Sequence, residues 1–93
     1  MRFEWDANKA FINAVKHKIS FKEATEVFND PDIVEVYDTF HSTEETRFSI
    51  IGFSSRRLLF IVYTVRSTNI IRLISARKAT QAERNIYERR INR

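Results

Sequence analysis

Arg77 and Lys78 stand where an apolar run ends and a helix begins, and this junction is where the sequence could do chemistry. Ile74-Ser75-Ala76-Arg77-Lys78-Ala79-Thr80 leads directly into Gln81-Ala82-Glu83. Thr80 to Glu83 has capping-box spacing, in which the Thr hydroxyl accepts from the Glu N–H and the Glu carboxylate reaches back. Two cations beside unpaired N–H groups and a positive dipole end make an anion site. On spacing alone, the same residues read more simply as a basic strand-to-helix joint that binds nothing. Histidine is the residue type that changes charge near neutrality, so His17 is the candidate for proton transfer. As a cation closing a helix C-terminus it would be stabilising without any chemistry. Arg66, Arg56 and Arg57 add cations at two turns, where each reads alternatively as a solvated arginine. Tyr87 could stack on a planar ligand or assist a proton, although a tyrosine at that helical position more commonly faces a core.

These residues belong to a 93-residue chain, enough for one domain (residues 1–93) and a modest core. There is no cysteine, which excludes disulfides and cysteine-ligated zinc and suits a reducing compartment. Apolar runs stay well short of the ~18 residues of a membrane span, and the N-terminus lacks signal-peptide organisation. A cytoplasmic protein without membrane contact is the expectation. Net charge is +4, unevenly spread. Residues 1–55 hold 6 Lys/Arg against 10 Asp/Glu, and residues 56–93 hold 10 against 2. This asymmetry suggests a polyanion partner for the second half, or a dipolar surface that keeps a small protein soluble. Asp38, His41, Glu44 and Glu45 cluster in an acidic loop, but their spacing fits no standard ligand set, so no metal or other cofactor is expected.

Around these residues the chain reads as α+β: two N-terminal helices, a four-stranded antiparallel sheet and a C-terminal helix. Asp6 caps a first helix from Ala7 to His17, with Ala7, Ala10, Phe11, Ala14 and Val15 on one face and Asn13 on the other. Ser20 to Glu23 is a second capping box, stapled by Ile19 and Ala24. It opens a short helix lined by Phe21, Ala24, Val27 and Phe28 and stopped by Asn29-Asp30-Pro31. Ile33–Tyr37, Thr46–Phe53, Leu58–Val65 and Ile70–Ala76 read as strands. Separators of hairpin length make the sheet a meander. The last helix runs from Gln81 to about Ile91, with Ala82, Ile86 and Tyr87 facing in, and Trp5 is expected to anchor the core.

If Ser67-Thr68 and Ser55-Arg56 are the two-residue loops, Phe48, Tyr63 and Arg72 lie side by side, and Phe53, Leu58 and Arg77 align at the opposite end. Arg47 and Arg77 would then sit roughly 20 Å apart at ~3.4 Å per residue, too far to share a phosphate. The sheet would carry two basic ends, Arg56/Arg57/Arg77/Lys78 and Arg47/Arg66. Leu58 to Thr64 is apolar on both alternations, so the central strand needs cover on both faces, more than one last helix supplies. A partner protein could supply the rest, as could tight packing of that helix.

Phe3-Glu4-Trp5-Asp6, Lys16 to Phe21 with Glu23-Ala24 and Val27-Phe28, Asp30-Pro31, Glu45 and Arg47, and Ile74 to Thr80 with Glu83-Arg84 and Tyr87-Glu88 together resemble the BrnT toxins of bacterial type II toxin–antitoxin pairs. The match runs end to end. It departs at Lys18, where the family often has glycine, and in having little glycine around the hairpins. The resemblance implies a fold similar to the RelE/ParE toxins and ribonuclease activity that shuts down translation. It also implies a BrnA-like ribbon-helix-helix antitoxin that wraps the toxin, with operator DNA reached only through that antitoxin.

Under this resemblance, metal-free cleavage of an RNA substrate needs a base for the 2′-hydroxyl, cations for the phosphorane and an acid for the leaving oxygen. His17 is the acid–base candidate, Arg77 the transition-state cation and Arg66 a second catalytic arginine. Lys78, Arg56, Arg57 and Tyr87 are the candidate RNA contacts. The alternative is a non-enzymatic binding module of the same fold, acting within an antitoxin–DNA repressor complex.

Overall fold

The computed structural model describes residues 1–36 and 46–92. Tyr37, the loop Asp38–Glu44 with His41, and Glu45 lie outside the described residues.

Local signals fix the helices. The Asp6 carboxylate accepts from the Lys9 N–H at 3.0 Å and opens α1, Ala7–His17. Ser20 does the same for α2, Phe21–Glu26, accepting from the Glu23 N–H at 3.0 Å, with Ile19 and Ala24 fully buried beside it. A 3-10 turn, Val27–Asn29, follows and ends at Asp30. Thr80 opens α3, Gln81–Ile91, with both bonds of the capping box formed.

The sheet differs from the expected meander. Its strands are β1 (Arg2–Glu4), β2 (Val34–Val36), β3 (Phe48–Phe53), β4 (Leu58–Ser67) and β5 (Ile70–Lys78), in the order β1-β5-β4-β3-β2. Three antiparallel pairings join β2 to β5 as expected, but β1 adds a fifth strand running parallel to β5, so the sheet is mixed. Three residues cannot display a period of two; β1 is a strand because Ile70–Arg72 offers it an edge. The start of β2 also falls one residue later than expected.

The α1 face is rotated from the one that periodicity suggested. Asn13 is buried, while Phe11, Ile12 and Val15 are 70%, 60% and 55% exposed. The Asn13 amide donates to Ile19 O at 3.0 Å and to Ala76 O at 2.8 Å, and its oxygen accepts from the Ala76 N–H at 3.1 Å. Three hydrogen bonds to buried backbone outweigh the burial of two apolar side chains, since each orphaned group would cost about 1–3 kcal/mol. The sheet face under α1 and α2 carries the main core, including Ile50, Leu59, Ile61, Leu73 and Ala76 against Ile19, Phe21, Ala24 and Val27. Trp5 is only partly covered, edge-on to Phe21 at 5.9 Å.

On the opposite face α3 covers one end only. Of its three expected inner positions Tyr87 alone is buried, clustered with Ile51 and Leu58, while Ala82 and Ile86 face solvent. The Tyr87 hydroxyl donates to Asp30 at 2.6 Å, and the Phe53 N–H donates to the same oxygen at 2.8 Å. Gly52 makes this end possible. A Cβ there would stand 2.7 Å from a Val27 methyl, so the 3-10 turn lies directly on the glycine backbone.

Asn13→Ala is expected to lower unfolding stability by about 2–4 kcal/mol, because it strands three backbone groups at once. An unchanged urea midpoint would remove the clamp from this account. At Lys18, φ is 61°, the one positive φ among the described residues and the left-handed closure of α1. Glycine takes this conformation without strain, so Lys18→Gly should raise stability by ~0.5–1 kcal/mol in the same assay.

Asp30 and Tyr87 set a pH window. Burial alone would raise the Asp30 carboxyl, but bonds from the Phe53 N–H, the Tyr87 hydroxyl and the Asp32 N–H outweigh it and hold the pKa below the usual carboxylate value. Burial and the Asp30 charge push the Tyr87 phenol well above its ordinary value. A depressed carboxyl stabilises above its unfolded pKa, near 4, and a raised phenol below its own, near 10. Tyr87→Phe should therefore cost about 1–2 kcal/mol between roughly pH 4 and pH 10. The gap from wild type should close on either side, and a gap independent of pH would refute the coupling.

Candidate functional site

The part of the sheet that α3 leaves open holds a depression of about 330 Å³, lined by Arg47, Ser49, Phe60, Val62, Ile74, Ser75 and Arg77. Strand register brings these together. Val62 pairs with both Ser49 and Ser75, and Phe60 pairs with Ile51 and Arg77, so these side chains share a face. The register then shifts between Val62 and Tyr63, leaving Ile74 as an extra residue of β5.

This shift adds to one from a hairpin turn at Thr68-Asn69 rather than Ser67-Thr68 and the irregularity beside Val65. Together they pair Arg77 at the level of Phe60 rather than Leu58, which corrects the expected separation of two basic ends. Arg47 and Arg77 are four residue levels apart instead of six, and both side chains reach the same depression. Tyr63 likewise pairs with Leu73, and Arg72 with Thr64.

Arg77 is held firmly. Its two terminal nitrogens donate to the two Glu83 oxygens, each at 2.9 Å, and Nη1 also donates to Lys78 O at 3.2 Å. The guanidinium carbon lies 4.2 Å above the Phe60 ring centroid. Glu83 is the capping-box carboxylate, accepting from the Thr80 N–H at 2.9 Å. Burial would raise its pKa, but the Arg77 and Thr80 hydrogen bonds prevail and keep it below the usual value. The sequence placed Arg77 and the capping box side by side, and the structure joins them through one carboxylate. Nε of Arg77 has no hydrogen-bond partner among the described residues, so that edge of the fork remains available to an anion.

His17 lies on the other side of β5. It lines a second depression of about 200 Å³ with Lys9, Ile12, Asn13, Lys16, Ile74 and Ser75. Ile74 and Ser75 belong to both depressions, so the bulged segment of β5 is a ridge between His17 and Arg77.

The other expected residues are dispersed. Arg66 sits beside Glu4 at 3.9 Å, near the Arg72–Glu4 pair at 2.7 Å, and does not line the Arg77 depression. Lys78 and Arg56 are exposed. Arg57 turns to the helix-covered side, where Nε and Nη2 grip Glu23 at 3.0 and 2.8 Å. The Arg57 hydrogen bond is the main reason the Glu23 pKa lies low. Arg57 thus ties the β3–β4 turn to α2, and Tyr87 is enclosed in the core. The Arg57 side chain stays partly exposed, whereas Tyr87 is buried.

Sequence reasoning did not single out Ser49 and Ser75 and set Arg47 apart. Their signal was the i, i+2 spacing of Arg47/Ser49 and Ser75/Arg77, which has meaning only once β4 is known to lie between them. No group of three or more His, Asp or Glu side chains that could hold a metal occurs among the described residues.

A family model described as "Ribonuclease toxin, BrnT, of type II toxin-antitoxin system" matches residues 5–83. The crystal structure of the Brucella abortus ribonuclease toxin BrnT superposes with a TM-score of 0.67 at 19% identity, covering 87% of this chain and 99% of that one. No curated protein matches the chain. With the family model spanning most of its length, the chain belongs to the BrnT family of ribonuclease toxins of type II toxin–antitoxin systems.

Proposed function

We propose that this toxin cleaves RNA without a metal ion, on the open sheet face around Arg77, and that a BrnA-like ribbon-helix-helix antitoxin neutralises it. The observation that carries the reading is an arginine fixed by Glu83 and Phe60 at a depression that Arg47 and two serine hydroxyls also line. A strand of RNA laid along this face would place a phosphate between Arg47 and Arg77. The 2′-hydroxyl then attacks its own 3′-phosphate, giving a 2′,3′-cyclic phosphate and a free 5′-hydroxyl. Arg77 stabilises the charge that builds on the phosphorane, and because it is already oriented little reorganisation is needed. His17, across the Ser75 ridge, is the proton carrier. Arg66, at the Glu4 end, and exposed Lys78 and Arg56 contact flanking backbone. Operator DNA is reached only through the antitoxin.

One observation favours the alternative of a binding module without enzymatic activity: the Arg77 fork is already occupied by Glu83. The two readings separate in one assay. RNA cleavage should persist in EDTA, and Arg77→Ala should reduce it at least ~100-fold with an unchanged circular-dichroism spectrum. His17→Ala should cost ~100-fold or more. Cleavage retained in Arg77→Ala would remove the proposed centre. Tight antitoxin binding by a wild-type protein that cleaves no RNA would establish the binding module.

A further inference from the structure

We propose that the outward face of α1 is the docking surface for an acidic amphipathic helix of the antitoxin. This rests on membership in a toxin–antitoxin family and assigns the contact to a particular surface of the chain.

The starting point is the inverted burial of α1. The helix turns Ala10, Asn13 and Ala14 to the protein and Phe11, Ile12 and Val15 to water. The rotation is fixed by the three Asn13 hydrogen bonds, so α1 cannot roll to hide the stripe without orphaning Ala76 and Ile19 backbone groups. Three large apolar side chains within five residues of one helix form a contiguous seam of the kind a partner helix covers.

Charge identifies the partner. Residues 7–22 carry Lys9, Lys16, Lys18 and Lys22 and no Asp or Glu. A second copy of this chain packed α1 against α1 would oppose lysine to lysine. A helix with apolar anchors and flanking carboxylates would instead meet complementary charge along its length. Position supplies the consequence. Ile12, Lys9 and Lys16 border the His17 depression, which shares Ser75 with the Arg77 depression. A helix seated on the stripe closes the His17 side of the site, so binding and inhibition become one event.

The test uses the full-length toxin and the antitoxin encoded with it. Phe11→Ser/Val15→Ser changes two exposed side chains that line neither depression. Its antitoxin affinity should fall at least ~30-fold, with circular dichroism and RNA cleavage by the toxin alone unchanged. Lys9→Glu/Lys16→Glu should slow association and remove most of its salt dependence, an independent reading should the first variant fold poorly. Unchanged antitoxin affinity in both variants would overturn the proposal. So would a toxin dimer in sedimentation that Phe11→Ser/Val15→Ser dissociates, or loss of RNA cleavage with antitoxin binding intact. If the wild-type toxin cleaves no RNA but the affinity losses occur, the docking surface stands and the nuclease reading falls. If it cleaves RNA and affinity is unchanged, only the docking surface falls.

Discussion

The amide of Asn13 is the constraint on which most of this structure depends. It lies beside the outer edge of β5 and satisfies both the N–H and the C=O of Ala76, as a paired strand would, while also holding Ile19 after the helix ends. The β1 pairing extends only over Ile70–Arg72, so the later part of β5 would otherwise present open edge groups. A single side chain thus closes an edge, seats a helix and fixes the turn into α2. Because Ala76 stands between Ser75 and Arg77, the same contact holds the segment that lines the candidate site. The cost of this arrangement is visible on the other side of α1, where Phe11, Ile12 and Val15 are left in water.

At the far end of that segment Glu83 has a comparable role. Its carboxylate closes the capping box of α3 and grips Arg77, so the helix start and the cation are positioned by one group. A capping glutamate in water contributes modestly. Here partial burial works against ionisation, but the bonds from Arg77 and Thr80 outweigh it and keep the carboxylate charged, which in turn holds the guanidinium over Phe60. The bidentate grip uses the two terminal nitrogens and leaves the Nε edge facing elsewhere. Oriented charge of this kind suits phosphate recognition better than a solvated lysine, whose ammonium has no fixed plane.

What the sequence made legible was whatever depends on near neighbours. Asp6, Ser20 and Thr80 announced the helix starts, and the two hairpin separators gave two of the four strand pairings. The rest depended on contacts between distant residues. Nothing in Arg2-Phe3-Glu4 marks a strand until Ile70–Arg72 is beside it. The α1 face was misjudged because its decisive residue is an asparagine whose partners lie six and sixty-three positions away. The extra residue at Ile74 has no local signature, since Ile-Ser-Ala continues a regular strand pattern, yet it moves Arg77 one level along the sheet, and the turn at Thr68-Asn69 with the irregularity beside Val65 moves it another. Arg57 and Tyr87 show the same limit: their types suit ligand binding, and only Glu23 and Asp30, far away in the chain, reveal structural roles.

The basic half of the chain is correspondingly less available than its charge count suggests. Arg57, Arg72 and Arg77 are each paired with a carboxylate, Glu23, Glu4 and Glu83 respectively, the first two of them from the acidic half. Glu83 is the exception in sequence, lying within the basic half itself. Internal pairing removes these arginines from non-specific attraction to polyanions, which screened surface charge would otherwise supply. On the proposed reading, affinity for RNA then comes from geometry, from a strand that reaches Arg77 and Arg47 at once, rather than from net charge. A protein-docking surface on α1 needs no such geometry, because its lysines and apolar seam are open to solvent. If both proposals hold, placing the permissive surface and the demanding one on opposite sides of the Ser75 ridge lets a partner with modest requirements control a reaction with strict ones.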